Sequence, residues 1–474
     1  MPKLKFKDPQ SVITITVLLI ILATYLLLAL QITDHYLPAW NDEFFYYTNS
    51  NSFFENTTLK AALTFNGTGS RLGGADAHGF AYPLLNGGIA KIFGWHNLNF
   101  IYTNFFFVAV ALVLILFQKS IEKKNRILII LFVLLFPFLA IYNFTYMQEA
   151  VHIFFAITCS ILIYKINREG KTKDYCYFIL VVVIAALFRP FWLVWLIGLI
   201  PFAVNALQKR WLILIFLFGG VLSVLLMYFF YEPLPNYFAS VIALIAKGDL
   251  KGLFYSVVRH FTYNGYAYFF KNDNSLVYFF VKCSILGMLI FFSAKAYLYK
   301  TRLFISIAFI GLINFLVLFF LYDVFMWRET RVLVSFFYFC IPFLLFEINN
   351  RTKFSLLFIL VVFFAFTLPV SKTMIAERNI HSNEVIENTG AAFKQIAGKL
   401  NDSATVLVNY YPSDSTLDLV SVPLKTASGN PIRYIVPYYR VNKAGYTHVL
   451  NLPGAVPAGT ILISNQYFQL EKIK

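Results

Sequence analysis

Asp42-Glu43 is the feature of this sequence best suited to acid–base chemistry. The pair follows the first long apolar run and lies between Trp40 and the aromatic run Phe44–Tyr47, so it should rest against an apolar surface. Partial burial favours the protonated form of a carboxylate and suits it to act as a base. Asp42 and Glu43 are therefore candidate catalytic residues, and the sequence does not decide between them. A solvated acidic loop is the alternative.

Four arginines are candidate ligands of a phosphate group. Guanidinium groups bind phosphate oxygens in bidentate fashion, and two of the four are three residues apart, so on a helix they would share a face. Anchoring of helix ends to lipid headgroups is the alternative, but it explains a single arginine better than four. The four are Arg189, Arg259, Arg328 and Arg331.

Four other polar residues are candidate substrate contacts: Asp76, His78, Glu149 and His260. The alternatives are structural histidines and, for Glu149, a charge at a helix N-terminus that the helix dipole favours. The spacing of these residues requires no cofactor. A divalent metal, Mg²⁺ or Mn²⁺, stays open, with Asp42, Glu43, Asp76 and His78 as its candidate ligands.

The elements that must position these residues are apolar. The chain has 474 residues, 59% of them hydrophobic and only 13% charged, whereas soluble domains carry about 25% charged residues. The net charge of +16 does not indicate nucleic acid, because the Lys and Arg cluster between apolar runs. That clustering is the positive-inside pattern of membrane proteins.

A membrane-crossing helix needs about 20 mostly apolar residues, and eleven segments are predicted to be such helices. They are about 11–31, 99–117, 127–143, 150–164, 176–189, 190–207, 211–230, 275–294, 303–322, 332–347 and 354–370. Every second connection carries a basic cluster, so all these clusters share one side with the basic N-terminus. The N-terminus is therefore predicted to be inside.

The predicted architecture is an all-α polytopic membrane domain, residues 1–370, followed by a small α/β domain, residues 371–474, on the outer face. The outer loops are about 32–98 and 231–274. In the tail, an amphipathic helix at 383–400 precedes strand-like runs separated by turn residues. The predicted strands are 404–410, 432–441, 446–451 and 460–468.

The chain resembles the GT-C glycosyltransferases, which are polytopic enzymes that use polyprenyl-phosphate-linked sugars. The resemblance lies in Asp42-Glu43 after the first helix, in Arg189-Pro190 and in Arg328–Arg331. In addition, Ala81-Tyr82-Pro83-Leu84-Leu85 is similar to the end of the first loop in the mannosyltransferase and aminoarabinose transferase relatives, which makes Tyr82 a further candidate substrate contact. Length, aromatic content and the outer tail also resemble the serotype-converting O-antigen glucosyltransferases.

The resemblance implies an inverting hexosyltransferase at the outer face of a bacterial inner membrane. Its partners would be a polyprenyl-phosphate-linked sugar, a surface glycan (O-antigen or lipopolysaccharide) or glycolipid acceptor, and membrane lipid. Three alternatives stay open: a glycan polymerase or ligase, a lipid-linked sugar transporter, and a structural membrane protein. The long acidic first loop, the absence of repeated halves and the sparse, clustered outer charge favour the transferase.

Overall fold

The computed structural model describes a largely helical chain. The described residues are 9–57, 62–64, 79–230, 236–271, 274–321, 327–385, 387, 394–396, 399–408, 426, 428–429, 432–435, 446–451, 453–466 and 468–473. Asp76 and His78, two of the candidate substrate contacts, lie outside them.

The helices of the first half of the chain are α1 (Pro9–Ala29), α2 (Asn41–Asn56), α3 (Ala81–Phe93), α4 (Asn99–Leu116), α5 (Lys123–Leu135), α6 (Pro137–Tyr142), α7 (Glu149–Glu169), α8 (Thr172–Phe188), a 3₁₀-helix (Pro190–Phe202) and α9 (Ala206–Phe230). Those of the second half are α10 (Asn236–Ala246), α11 (Leu250–Phe270), α12 (Leu276–Tyr299), α13 (Arg302–Leu321), a second 3₁₀-helix (Trp327–Leu333), α14 (Val334–Glu347) and α15 (Asn350–Glu384).

Each of the eleven predicted segments coincides with helix. Within the described part of the chain, seven helices are long and apolar enough to cross a membrane: α4, α7, α9, α12, α13, α14 with the turn before it, and α15. The chain is therefore an integral membrane protein with several spans. Eleven spans and the inside location of the N-terminus stay predictions.

Two prolines break predicted apolar segments. Pro137 has no N–H to donate and begins α6 after Phe136 has left helical geometry. Pro190 likewise forces Arg189 into an extended conformation. The 13 residues of the 3₁₀-helix that follows cover about 26 Å at a rise of about 2 Å per residue, so a short segment still reaches far through the bundle.

The basic connections gather at one end of the bundle. The contacts that join them are Arg168 to the Ser120 carbonyl (3.2 Å), Lys353 to Asn125 (3.2 Å) and Lys295 to Glu347 (3.1 Å). Helix α7 runs from this end for 21 residues, about 30 Å, so Glu149 lies at the opposite end.

A small sheet joins the tail to the first loop. Its strands are β1 (Leu63–Thr64), β2 (Thr405–Val408), β3 (Arg433–Ile435), β4 (His448–Asn451), β5 (Thr460–Ser464) and β6 (Gln469–Lys472), in the order β1-β3-β2-β4-β6-β5. The first four in this order pair in parallel, and β6 is antiparallel to both neighbours. Asn49 on α2 fixes β1, because its amide accepts the Ala62 and Leu63 N–H groups at 2.8 and 3.0 Å.

Candidate functional site

Three ion pairs lie at the end of the bundle opposite the basic connections. They are Asp42 with Arg331 (2.8 Å), Glu43 with Arg378 (3.0 Å) and Glu149 with Arg189 (3.3 Å). The last two pairs are buried, whereas the side chains of Asp42 and Arg331 are 19% and 20% exposed. Of these three, the first pair therefore combines opposite charges with access for a substrate.

Glu43 has no oxygen left for chemistry. Its Oε2 accepts the backbone N–H groups of Ala39 and Trp40 at 2.8 and 2.9 Å. Its Oε1 accepts the Tyr146 N–H at 2.8 Å and Nη1 of Arg378 at 3.0 Å. A carboxylate has about four acceptor positions, so all of them are in use. Glu43 thus ties the start of α2 to the segment between α6 and α7.

Asp42 is the partly exposed residue of the acidic pair. It occupies the first turn of α2, where the helix dipole stabilises a negative charge. Arg331, from the second 3₁₀-helix, donates from Nη2 to Oδ2 of Asp42. The charges of Glu329 and Glu149 and the hydroxyl of Tyr142 also act on this guanidinium. Asp42, Arg331, Glu149 and Tyr142 are therefore parts of one polar cluster.

The Glu149–Arg189 pair forms the buried wall of this cluster. Within the described residues, Nε of Arg189 and Oε2 of Glu149 have no hydrogen-bond partner. Three residues after each member of this pair, the indole of Trp192 on the 3₁₀-helix donates to Nδ1 of His152 on α7 at 3.0 Å. The Arg189-Pro190 break is what turns the guanidinium towards α7, since Arg189 leaves α8 in an extended conformation.

Tyr82 is buried at the start of α3 rather than exposed. Its hydroxyl lies 3.0 Å from Oδ1 of Asn104 and 3.2 Å from the Met147 carbonyl. Burial raises the pKa of this hydroxyl well above its ordinary value, and the charges of Glu149 and Glu43 raise it further. The group stays protonated and donates, which helps to hold the segment before Glu149.

The remaining predicted site residues are not drawn into the cluster. Arg259 is exposed on α11 and makes no ion pair with any residue that the structure describes. His260 is half-buried, with Nε2 3.0 Å from the Asn264 amide, which in turn donates to the Phe319 carbonyl. The backbone of Arg328 belongs to the second 3₁₀-helix, and its side chain lies outside the described part.

A metal held by Asp42 and Glu43 does not fit these side chains. The oxygens of Glu43 are occupied by four donors, and Oδ2 of Asp42 faces a guanidinium. The described residues also contain no group of three or more His, Cys, Asp or Glu side chains that could hold an ion.

Two buried cations of this region were not identified from the sequence. Arg378 on α15 pairs with Glu43, and Lys282 on α12 lies 3.9 Å from the ring centre of Trp327. Lys282 stands inside a predicted membrane segment, where an ionisable residue is by default a functional candidate. That signal could have found Lys282. Arg378 gave no such signal, because it follows the predicted end of the last span.

Gly79 packs the end of the first loop against the end of α8, just before the Arg189-Pro190 break. We expect Gly79→Ala to be strongly destabilising. Its φ is +81°, and an added Cβ would overlap the Phe188 carbonyl and lie 2.5 Å from that of Leu187. Left-handed backbone costs a non-glycine residue on the order of 1–3 kcal/mol before any clash. A fall in the thermal unfolding temperature of the detergent-solubilised protein would report the loss.

Gly88→Ala is the matched control, because a Cβ there meets nothing within 4 Å and alanine favours the helix by up to about 1 kcal/mol. It should unfold at the wild-type temperature or slightly above. Equal unfolding temperatures for the two variants would mean that Gly79 does not fix the loop.

The comparisons with known proteins concern the fold. No protein-family model and no curated protein sequence matches the chain. The oligosaccharyltransferase of Archaeoglobus fulgidus in complex with Zn and sulfate is similar, with a TM-score of 0.52 and 9% identity over 91% of this chain and 67% of that one. ArnT from Cupriavidus metallidurans is similar both bound to undecaprenyl phosphate (TM-score 0.50, 11% identity, 96% and 97% coverage) and in the apo state (0.50, 10%, 97% and 97%). The chain therefore shares the fold of these proteins, as its resemblance to the GT-C glycosyltransferases implied.

Proposed function

We propose that the chain is an inverting glycosyltransferase that moves a sugar from a polyprenyl-phosphate carrier to a hydroxyl of a surface glycan or glycolipid. The Asp42–Arg331 pair carries this proposal. It sets a proton acceptor and a phosphate ligand 2.8 Å apart, and both side chains are partly exposed. The fold that presents them is shared with a structure bound to undecaprenyl phosphate.

Each group has a defined task in this reaction. An oxygen of Asp42 takes the proton of the acceptor hydroxyl while the acceptor oxygen attacks the anomeric carbon of the donor sugar. The bond from that carbon to the phosphate oxygen breaks, and polyprenyl phosphate leaves with the electron pair. Arg331 donates to this phosphate as its negative charge grows. Attack opposite the leaving group inverts the anomeric configuration.

The buried pairs support the reacting pair. Glu43 holds the first turn of α2, and the charge of Glu149, which pairs with Arg189, acts on the guanidinium of Arg331. We assign Asp42 the role of base because its carboxylate is accessible, whereas every oxygen of Glu43 already accepts hydrogen bonds.

We place the reaction at the outer face of a bacterial inner membrane. The basic connections lie at the end opposite to Asp42, and clusters of this kind are retained in the cytoplasm. The cluster around Asp42 then faces the periplasm, where O-antigen-like glycans are accessible. A hexose is the proposed sugar, because the overall form of the chain resembles O-antigen glucosyltransferases.

A glycan polymerase or ligase is the second candidate, favoured by the fold shared with an oligosaccharyltransferase. Such an enzyme would consume a carrier bearing several sugars. A pyrophosphate-linked donor carries more negative charge than a monophosphate-linked donor. Arg331 is the partly exposed cation of the described cluster, and one guanidinium matches a single phosphate better.

The deciding experiment supplies the purified protein in lipid nanodiscs with two donors and surface polysaccharide as acceptor. One donor is hexosyl polyprenyl phosphate, and the other is an oligosaccharide on polyprenyl pyrophosphate. We expect one polyprenyl phosphate released per hexose transferred, with the opposite anomeric configuration in the product by NMR. Consumption of the second donor alone would identify a polymerase or ligase. Movement of donor between leaflets without bond cleavage would identify a transporter.

A further inference from the structure

The outer part of α15 contacts the whole segment that leads from α1 to α2. Asn379 donates to the Gln31 carbonyl at 2.7 Å and accepts the Thr33 N–H at 3.2 Å. Oγ of Ser382 accepts the Leu37 N–H at 2.9 Å. Arg378 lies on the same helix face as Ser382, four residues earlier, and contacts Glu43. Helix α15 therefore contacts the connection between α1 and α2 and, through Arg378, α2 itself.

Of these three residues of α15, Arg378 is the one that contacts α2. It is buried, with Nη1 3.0 Å from Oε1 of Glu43. Its guanidinium carbon lies 5.1 Å from the ring centre of Tyr36 and 5.4 Å from that of Trp40. Because Trp40 immediately precedes α2, the guanidinium touches both the entry to the helix and the carboxylate that caps it.

We propose that Arg378 is a positioning residue that fixes the carboxylate of Asp42 by holding the carboxylate of Glu43 in place. This inference rests on the proposed function. A buried carboxylate without a countercharge either takes a proton or moves towards water. In both cases it gives up hydrogen bonds from Ala39, Trp40 or Tyr146.

The consequence for Asp42 is geometric. Asp42 directly precedes Glu43 in the first turn of α2, so a turn that loses its backbone anchors carries the Asp42 carboxylate with it. A displacement of about 1 Å at a reacting group can lower the rate of a reaction about 100-fold. Binding of the donor, which relies on Arg331 on another element, should change much less.

Arg378→Gln tests this inference against ordinary destabilisation. We expect it to lower kcat about 30- to 100-fold and to leave the KM for the donor within about twofold, measured on folded, purified protein. Arg378→Lys, which keeps the charge, should recover part of kcat. The double variant Glu43→Gln/Arg378→Gln should be no slower than the slower of its two single variants, because both changes break the same contact.

Asn379→Ala is the matched control, since it removes contacts of the neighbouring residue to Gln31 and Thr33 but none to Glu43. It should lower the unfolding temperature while the folded protein keeps the wild-type kcat. A loss of kcat no greater in Arg378→Gln than in Asn379→Ala would overturn the inference, as would a rise in donor KM with unchanged kcat. A wild-type chain that transfers no sugar would overturn the proposed function and this inference together.

Discussion

Asp42→Asn is expected to abolish sugar transfer while the protein reaches normal levels in the membrane. The substitution keeps the shape of the side chain and removes its ability to take a proton. General base catalysis contributes on the order of 10²- to 10⁴-fold to a rate, so a fall in kcat of about 1,000-fold is the expected size. The measurement is hexose addition to surface polysaccharide by mass spectrometry, together with initial rates of the purified protein.

A measurement of donor binding distinguishes loss of the catalytic base from disruption of the donor-binding site. In the wild-type chain Arg331 donates to the Asp42 carboxylate, and a neutral amide in place of that carboxylate competes less with a phosphate for this guanidinium. The Asp42→Asn variant should therefore bind undecaprenyl phosphate at least as tightly as the wild-type chain does. Weaker binding would instead place Asp42 among the residues that organise the donor site.

Asp34→Asn provides the matched control for this experiment. Its carboxylate is largely exposed on the same segment and lies 3.7 Å from Nε2 of His96, away from the three ion pairs. We expect full activity from it. Equal activity of Asp34→Asn and Asp42→Asn would leave the acidic pair without a role in transfer and would put the polymerase and transporter alternatives first.

The helices could be predicted because their cause is local. A run of apolar residues of sufficient length has few alternatives to a helix in lipid, and Pro137 and Pro190 interrupt two of these runs through their own ring geometry. The sequence also indicated that Arg189 would stand at a break. It could not indicate that the break directs the guanidinium to Glu149, because that depends on how α7 and α8 pack.

The division of labour between Asp42 and Glu43 could not be predicted for a related reason. The two residues are adjacent in sequence and similar in chemistry, and they differ only in their partners. Arg378 and Arg331, which distinguish them, are separated from the pair by most of the chain. The residue pattern of the first loop predicts neither contact.

The contact between the first loop and the tail could likewise not be predicted from the sequence. The strand β1 has two residues, too few for an alternating pattern, and its place in the sheet depends on β3 and on the amide of Asn49. Because of this strand, α2 is connected to the tail through the sheet as well as through α15. The tail is therefore built onto the segment that carries the proposed base.

Arg331→Gln is expected to damage both binding and turnover. A hydrogen bond to a charged group is worth about 1.5–3 kcal/mol, which corresponds to a roughly 10- to 150-fold rise in the KM for the donor. Because the phosphate gains charge as the sugar leaves, kcat should also fall, by about 100-fold or more. Arg331→Lys should be intermediate, since lysine keeps the charge but loses the planar fork.

Initial rates against donor concentration give both constants, and two further arginines make the test selective. Arg433→Gln, at an exposed position of β3, changes the net charge equally and should leave both constants unchanged. Arg259→Gln tests the exposed arginine of α11 that the sequence made a candidate phosphate ligand. If this variant raises the donor KM more than Arg331→Gln does, the donor phosphate lies beside α11, and the role of Arg331 is confined to its ion pair with Asp42.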